Sequence, residues 1–526
     1  MPRALRNALA ALSLSTICFL SSWWILLNPQ HYTYYFWRSD PGLVEFEALG
    51  LDILLLAIVF WLSTLAVYRF RSPLMSNLFS CAWLLLLVIP INSVFFAYLD
   101  ESALAWLTTG KWRLIAGVVT APPFLFLLWR NGKKISRVAL TLLLVFSPLV
   151  VINFSSALWI RARHEPPASQ FLEKTAPLAP SKIASRSVQP QILWLVFDEL
   201  DQKTAFTHRP VTLKLPEFDR LSNQALRANN AYPPSNLTLL SLPALVTGQL
   251  LSDAVPIGAN ELELTQTDGK KDLWSVQPNI FSDAHNEGFS TGLVGWYHPY
   301  CRVLGASLDA CSWVPVVDQV NPTLNNLTLT RSMWKWFELT LYRVPFVFRI
   351  LENQYNTERK RDHMQEFNES QSAAKLLLRT NLNLKMLHLP IPHHPWIYEA
   401  NTHSFWTSAG NGYVDNLALA DKTLGDVRRI LEEDGRWDSS VVLVTSDHWW
   451  RESPLINGKR DHRIPFLLKL AGQKSGTEHN GPFNTILTRK LLMELLRGQL
   501  SKSDEVSAWL NRNTQLAESP FTSSLP

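Results

Sequence analysis

The sequence predicts an amino-terminal bundle of membrane-crossing helices, followed by an α/β domain with a central, mostly parallel sheet. Three observations predict it. Residues 1–160 hold only 17 of the chain's 49 basic and 44 acidic residues, clustered between long uncharged runs. Five of those runs approach the ~20 residues that an apolar helix needs to cross a bilayer. After residue 190 short apolar runs ending in polar groups alternate with helical stretches, the texture of strands joined by crossover helices.

The 526-residue length allows three or four domains at ~150 residues each. Apolar residues make up 47% and charged residues 18%, with 21 Trp and 26 Phe, which excludes a disordered chain. Four Cys exclude a disulfide-stapled mini-protein. The net charge of +5 is small and follows from loop topology rather than from a nucleic-acid surface.

The five runs lie at about 7–28, 48–68, 77–98, 113–129 and 137–158. The fourth is the shortest and holds Pro122 and Pro123; it lengthens toward Trp106 if Lys111 and Arg113 snorkel. The first is flanked by Arg3 and Arg6 without a small-residue cleavage site, and reads as a retained helix rather than a removed signal peptide. Arg3 and Arg6, Arg69 and Arg71, and Arg130, Lys133, Lys134 and Arg137 fall in alternate loops. The acids Asp40, Glu45, Glu47, Asp52, Asp100 and Glu101 fall toward the other side. The positive-inside rule then places the N-terminus in the cytoplasm and everything after Arg161 outside it.

This divides the chain into a transmembrane domain (1–160), a Pro-, Ala- and Ser-rich linker (161–189), an exported domain (190–500) and a C-terminal tail (501–526). Expected strands are Ile192–Phe197, Thr291–Trp296, Leu384–Leu389, Val441–Thr445 and Phe466–Leu470. Expected helices are Phe218–Ala228, Leu239–Thr247, Met333–Glu352 and Asn416–Glu433. The aromatic and basic stretch Trp334–Leu351 suits either core packing or a membrane surface, the former favoured, and the charged run 355–364 reads as a solvated face. Cys301 and Cys311, close in sequence and exported, are expected to pair in an oxidising compartment; Cys18 and Cys81 are expected to be inert packing residues.

In an open α/β sheet, ligands bind at the carboxyl ends of strands. ILWLVF runs into Asp198 and Glu199, VVLVT into Ser446, Asp447 and His448, and LKMLHL toward His393 and His394, while His462 precedes the last strand. One Asp after a strand is more often a turn or a cap. Carboxylates and imidazoles arriving at one edge from distant segments instead suit a divalent cation, with Zn²⁺ or Mn²⁺ favoured and Ca²⁺ or Mg²⁺ compatible. His388, inside its strand, reads as a buried, satisfied histidine. PPSNLTLLSLPALVTG reads as a turn and a short apolar helix with Thr238 near its start and Gly248 past its end. A hydroxyl there is either a helix cap or a nucleophile favoured by the helix's positive end.

These motifs resemble the alkaline phosphatase/sulfatase superfamily, in its membrane-anchored branch of phosphoethanolamine transferases, lipoteichoic acid synthases and phosphoglycerol transferases. The likeness covers roughly residues 190–475 and the plan of five helices before an exported domain. It implies that VFDEL supplies the metal-binding acid Glu199 with Asp198 beside it, and that Thr238 in TLLSLP is the nucleophile and a metal ligand. Asp447 and His448 in SDHWW would be the late metal pair. His393 in PHHPW and His462 in DHRIPF would contact the substrate group, with His394 able to replace His393. The sequence departs from sulfatases proper at Thr238, where they need Cys or Ser, and at Leu242, where they carry Arg. Trp449 stands where Gly follows Asp-His, and the cysteines that surround the transferase nucleophile are missing.

The resemblance implies a monomeric bacterial inner-membrane enzyme that transfers a phospholipid head group, through phospho-Thr238, to a glycan or lipid acceptor. A phosphate or sulfate ester hydrolase and a non-catalytic lipid-sensing regulator are the alternatives.

Overall fold

The computed structural model describes residues 2–38, 41–69, 138–163, 190–316, 327–342, 345–405, 412–454 and 458–514, with isolated positions between 122 and 134. The expected span 77–98, Cys81, most of 113–129 and most of the linker lie outside these residues. The chain forms two compact units, one of residues 1–168 with 318–355 and one of 169–317 with 356–526.

In the first unit, α1 (Arg3–Cys18) and α2 (Leu20–Leu27) replace the single helix expected over 7–28, meeting at 64° about Phe19. Ser13, Ser15 and Thr16 each return a hydroxyl hydrogen bond to the carbonyl four residues back, a pattern that bends helices. Two straight stretches, Leu43–Leu65 within α3 (Leu43–Arg69) and Val138–Ile160 running into α4 (Ser147–Arg163), are long and apolar enough to cross a membrane. The helix expected at Met333–Glu352 is two helices, Leu329–Tyr342 and one restarting at Pro345, a residue pre-organised for a first helical turn. The former packs on α3 through the fully buried Trp336, whose indole N–H donates to the Glu45 carbonyl at 3.2 Å.

The second unit is built on a nine-stranded sheet of β1 (Gln191–Asp198), β2 (Leu226–Tyr232), β3 (Thr291–Tyr297), β4 (Ala310–Pro315), β5 (Leu384–Pro392), β6 (Ser440–Ser446), β7 (Ile464–Lys469), β8 (Thr477–His479) and β9 (Phe483–Asn484). Across the sheet the order is β8-β2-β7-β6-β1-β5-β3-β4, with β9 also on β2. Neighbours from β6 through β4 are parallel, whereas β7 runs antiparallel to β6 and β2. β1 is central and apolar on both faces, as a strand with helices above and below must be. Each of its buried large side chains, Ile192 to Phe197, stabilises the fold by about 1.5–3 kcal/mol.

Leu193, Leu195 and Phe197 share one core with α6 (Tyr413–Glu433), whose Leu417, Ala420, Leu424, Val427 and Leu431 repeat at three- and four-residue steps. α5 (Thr238–Thr247) ends on Gly248 at φ +65°, the left-handed stop that glycine supplies without a Cβ penalty.

Several elements differ from expectation. The helix expected at Phe218–Ala228 stops at Ser222, because Leu226, Ala228 and Ala231 turn inward as β2 between β7 and β8. β4 and a three-stranded sheet over 251–273 were not expected. The charged run 355–364 is not wholly solvated: His363 is fully buried and its Nδ1 lies 2.9 Å from Glu366. Residues 503–513 form α7, which buries Val506 and Leu510. Cys301 and Cys311 are disulfide-bonded.

Candidate active site

Because β6, β1, β5 and β3 are parallel neighbours, their carboxyl ends share one edge. Asp198 closes β1, Asp447 and His448 follow β6, His393 follows β5 and His298 follows β3. The antiparallel β7 begins at this edge, which brings His462 there too. Ser446 cross-ties the centre: its hydroxyl accepts the Leu200 N–H at 2.8 Å and lies 2.8 Å from the Phe197 carbonyl. The Glu199 N–H donates to Asp447 Oδ1 at 3.2 Å.

Thr238 is the first residue of α5 and is buried. Its hydroxyl donates to Asp198 Oδ2 at 3.2 Å and lies 3.2 Å from His448 Nε2. The Ser241 hydroxyl, one turn on, donates to the Asp447 carbonyl at 2.5 Å and ties the helix to the strand end. The free N–H groups of a helix start and its dipole favour negative charge at this place.

Ligand atoms of Asp198, His388 and Asp447 all lie within 4.8 Å of one another, and all three residues are buried. His448 Nε2 adds to them at 3.5 Å from Asp447 Oδ2 and 3.8 Å from Asp198 Oδ1. Backbone carbonyls fix both imidazoles: His448 Nδ1 lies 2.9 Å from the Trp449 carbonyl and His388 Nδ1 2.9 Å from the Trp296 carbonyl. A carbonyl only accepts, so each Nδ1 carries the hydrogen and each Nε2 presents a lone pair. Those lone pairs face carboxylates, His388 Nε2 standing 3.4 Å from Asp198 Oδ2. Asp198 Oδ1, Asp447 Oδ2 and His388 Nε2 are buried with no hydrogen-bond partner. Acceptors facing acceptors in a dry site repel; a divalent cation among them turns the same arrangement into coordination, with nitrogen and oxygen donors that suit zinc or manganese.

Electrostatics agrees. Burial, then Asp447 and Glu199, push Asp198 well above the ordinary carboxylate range, and burial raises Glu199. Burial lowers His388 to about 4, which keeps its imidazole neutral.

Glu199 takes a position unlike Asp198. Its backbone is left-handed at φ +63°, a conformation costing a residue with a side chain about 1–2 kcal/mol. Its carboxylate accepts the Arg451 Nε–H at 3.0 Å. Tyr413 holds this turn, donating to the Glu199 carbonyl at 2.6 Å and accepting the Asp201 N–H at 3.0 Å. Glu199 forms a second group that could hold a metal ion, with His393 and His394, apart from the buried Asp198, His388 and Asp447. His393 is half-buried, stacks on the exposed His394 at 4.3 Å, and has its Nε2 3.5 Å from Arg451. The His462 ring packs on Trp449 at 4.4 Å. Trp449 and Trp450 are both buried, and Trp450 stacks on Tyr413 at 4.0 Å, so neither indole forms an open pocket wall.

Three residues here escape the sequence reading. His388 was read as a satisfied core histidine, yet its Nε2 has no partner and faces Asp198. His298, whose Nε2 donates to the Thr238 carbonyl at 3.1 Å, follows a strand end as the other site residues do, so the same rule could have found it. Arg451 carried no signal beyond its nearness to the Asp-His pair.

The sheet, the edge and the helix-borne hydroxyl define an α/β domain of the sulfatase type. The sulfatase family model matches residues 190–487, more than half of the chain, and the chain belongs to that family. Similar solved structures include the lipoteichoic acid synthase LtaP from Listeria monocytogenes, at 17% identity over 58% of this chain and 72% of that one, TM-score 0.37. The PsFucS1 sulfatase from Pseudoalteromonas sp. is similar at 15% identity over 61% and 72%, TM-score 0.38. A protein in the alkaline phosphatase superfamily from Vibrio parahaemolyticus is similar at 13% identity over 59% and 66%, TM-score 0.36. No curated protein matches the chain.

Proposed function

We propose that this protein is a membrane-anchored transferase. It moves a substituted phosphoryl group from a phospholipid, through a covalent Thr238 intermediate, to a hydroxyl of a glycan or lipid acceptor. The observation that carries the reading is the Thr238 hydroxyl at a helix start, hydrogen-bonded to Asp198 and touching the His448 nitrogen. Helices able to cross a membrane in the same chain would keep the domain beside a lipid donor. We place the chain in a bacterial inner membrane, N-terminus cytoplasmic and catalytic domain periplasmic, acting as a monomer without nucleic acid.

Asp198 Oδ2 receives the Thr238 proton as Oγ1 attacks phosphorus, and the bond from phosphorus to the diacylglycerol oxygen breaks. The proton taken up by Asp198 passes to that oxygen, which leaves as diacylglycerol. The acceptor oxygen then attacks phosphorus, the bond from phosphorus to Thr238 Oγ1 breaks, and the acceptor's proton, passed through Asp198, restores the Thr238 hydroxyl. A divalent cation held by Asp198, Asp447, His388, His448 and Thr238 would, when bound, acidify the hydroxyl and offset phosphoryl charge. His393 and Arg451, 3.5 Å apart, would face the outer phosphoryl oxygens, with His462 supplying further stabilisation.

Incubation with phospholipid vesicles and no acceptor tests this. A transferase accumulates an adduct on Thr238, whose peptide mass identifies the group carried, and Thr238→Ala loses it. Steady release of free head group without adduct would identify a hydrolase, and neither adduct nor release a regulator. An adduct on Ser235 or Ser241 would move the nucleophile.

A further inference from the structure

The segment that starts at the last residue of β3, Tyr297–Cys301, belongs to no motif, yet it touches both halves of the site. His298 is fully buried between Trp274, Tyr297 and Tyr300, with ring centroids 5.0, 5.1 and 5.6 Å away. Its Nε2 lies 3.1 Å from the carbonyl of Thr238, so that nitrogen carries the hydrogen and donates. Two residues on, the fully buried Tyr300 places its hydroxyl 3.0 Å from His388 Nδ1, the nitrogen whose hydrogen sets the His388 tautomer.

The segment is held in this path from both sides. Tyr297 is left-handed at φ +75°, a turn that a residue with a side chain adopts only when its surroundings impose it. A Cβ on Gly295 would stand 2.3 Å from the Tyr300 ring, so the ring lies where only glycine leaves room. Cys301, next after Tyr300, is bonded to Cys311 on β4.

Resting on the transferase reading above, we infer that this stapled segment is the positioning element of the active site, with His298 setting the nucleophile Thr238 and Tyr300 setting the ligand His388. The two side chains act on different partners, so their losses differ in kind. Without the His298 hydrogen bond the start of α5 loses an anchor and Thr238 drifts from phosphorus, while the Asp198, Asp447, His388 and His448 groups stay in place. Without the Tyr300 hydroxyl the His388 ring keeps only the Trp296 carbonyl on its Nδ1, and the cation is held more weakly, by about tenfold for an outer-shell partner of a ligating histidine.

The experiment uses the full-length protein and two readouts: Zn²⁺ affinity by titration, and the rate of Thr238 adduct formation with phosphatidylethanolamine and phosphatidylglycerol vesicles at saturating Zn²⁺. His298→Leu should slow the adduct at least about tenfold, the scale of small misplacements of a reacting group, with Zn²⁺ affinity falling far less than the rate because the Asp198, Asp447, His388 and His448 groups are untouched. His298→Gln, whose amide N–H reaches toward the same carbonyl, should recover most of the rate. Tyr300→Phe should weaken Zn²⁺ about tenfold and regain the wild-type rate once Zn²⁺ saturates. Equal losses of both readouts in His298→Leu and Tyr300→Phe would mark general unfolding and overturn the inference, as would a wild-type rate in His298→Leu. Failure of the wild-type chain to form any adduct would instead refute the transferase reading itself.

Discussion

His388 and His448 offer the same nitrogen for the same reason: a backbone carbonyl holds the other one. That shared tautomer, more than residue identity, would make them ligands of a cation. The full-length protein should therefore carry one tight divalent ion by elemental analysis, and Asp447→Asn or His448→Ala should abolish its occupancy. Glu199→Gln should retain the ion, because that carboxylate is engaged by Arg451. Loss of metal in Glu199→Gln, or unchanged metal in both other variants, would refute the assignment. Asp421 illustrates a residue tuned by burial away from the site. Its buried carboxyl, which accepts the Phe218 N–H at 2.8 Å, is raised to about 7 from 3.8. The folded state thus holds a proton that the unfolded state releases. The associated stability is full below about pH 3.8 and is lost as pH rises through about 7. Asp421→Asn should flatten this term, and its melting temperature relative to wild type should climb by a few degrees between pH 4 and 7.

At the scale of elements, the strands that carry site residues were legible because each is a short apolar run stopped by a charged or imidazole group. The edge strand β4 was not, since its sequence ACSWVP is as much disulfide neighbourhood as strand. β2 was hidden by helix-compatible residues whose pairing with β7 and β8 decides the outcome. His388 was read as satisfied because it lies inside its strand, where burial usually comes with a full set of partners. The strand runs on to Pro392, and its pairing with β1 sets His388 opposite Val196, just short of the edge. The helix that carries Thr238 offers a test at its other end. A Cβ on Gly248 would meet Arg489 and the Ile486 carbonyl at 3.2–3.3 Å in a left-handed backbone. Gly248→Ala should destabilise the protein by about 1–2 kcal/mol, read in denaturant unfolding monitored by tryptophan fluorescence.

For the whole molecule, charge placement predicts orientation. A reporter active only outside the cytoplasm should be active when fused after Arg163 and inactive after Lys134; the reverse would refute the periplasmic chemistry. Cys301 and Cys311 should resist alkylation until reduced, as the bonded pair requires.

The sheet order also fixes when the protein becomes chemically competent. β1 is flanked by β5 and β6, and the Glu199–Asp447 hydrogen bond joins residues 248 positions apart. At roughly 5–20 residues per second, synthesis separates the two by about 12–50 s. During that time a ribbon of six large apolar side chains has emerged without the strands that will cover it, and Thr238 has no Asp-His pair beside it. The site is therefore assembled late, after the chain passes His448, and a product truncated before that point has Thr238 without the Asp198–Asp447–His448 cluster beside it.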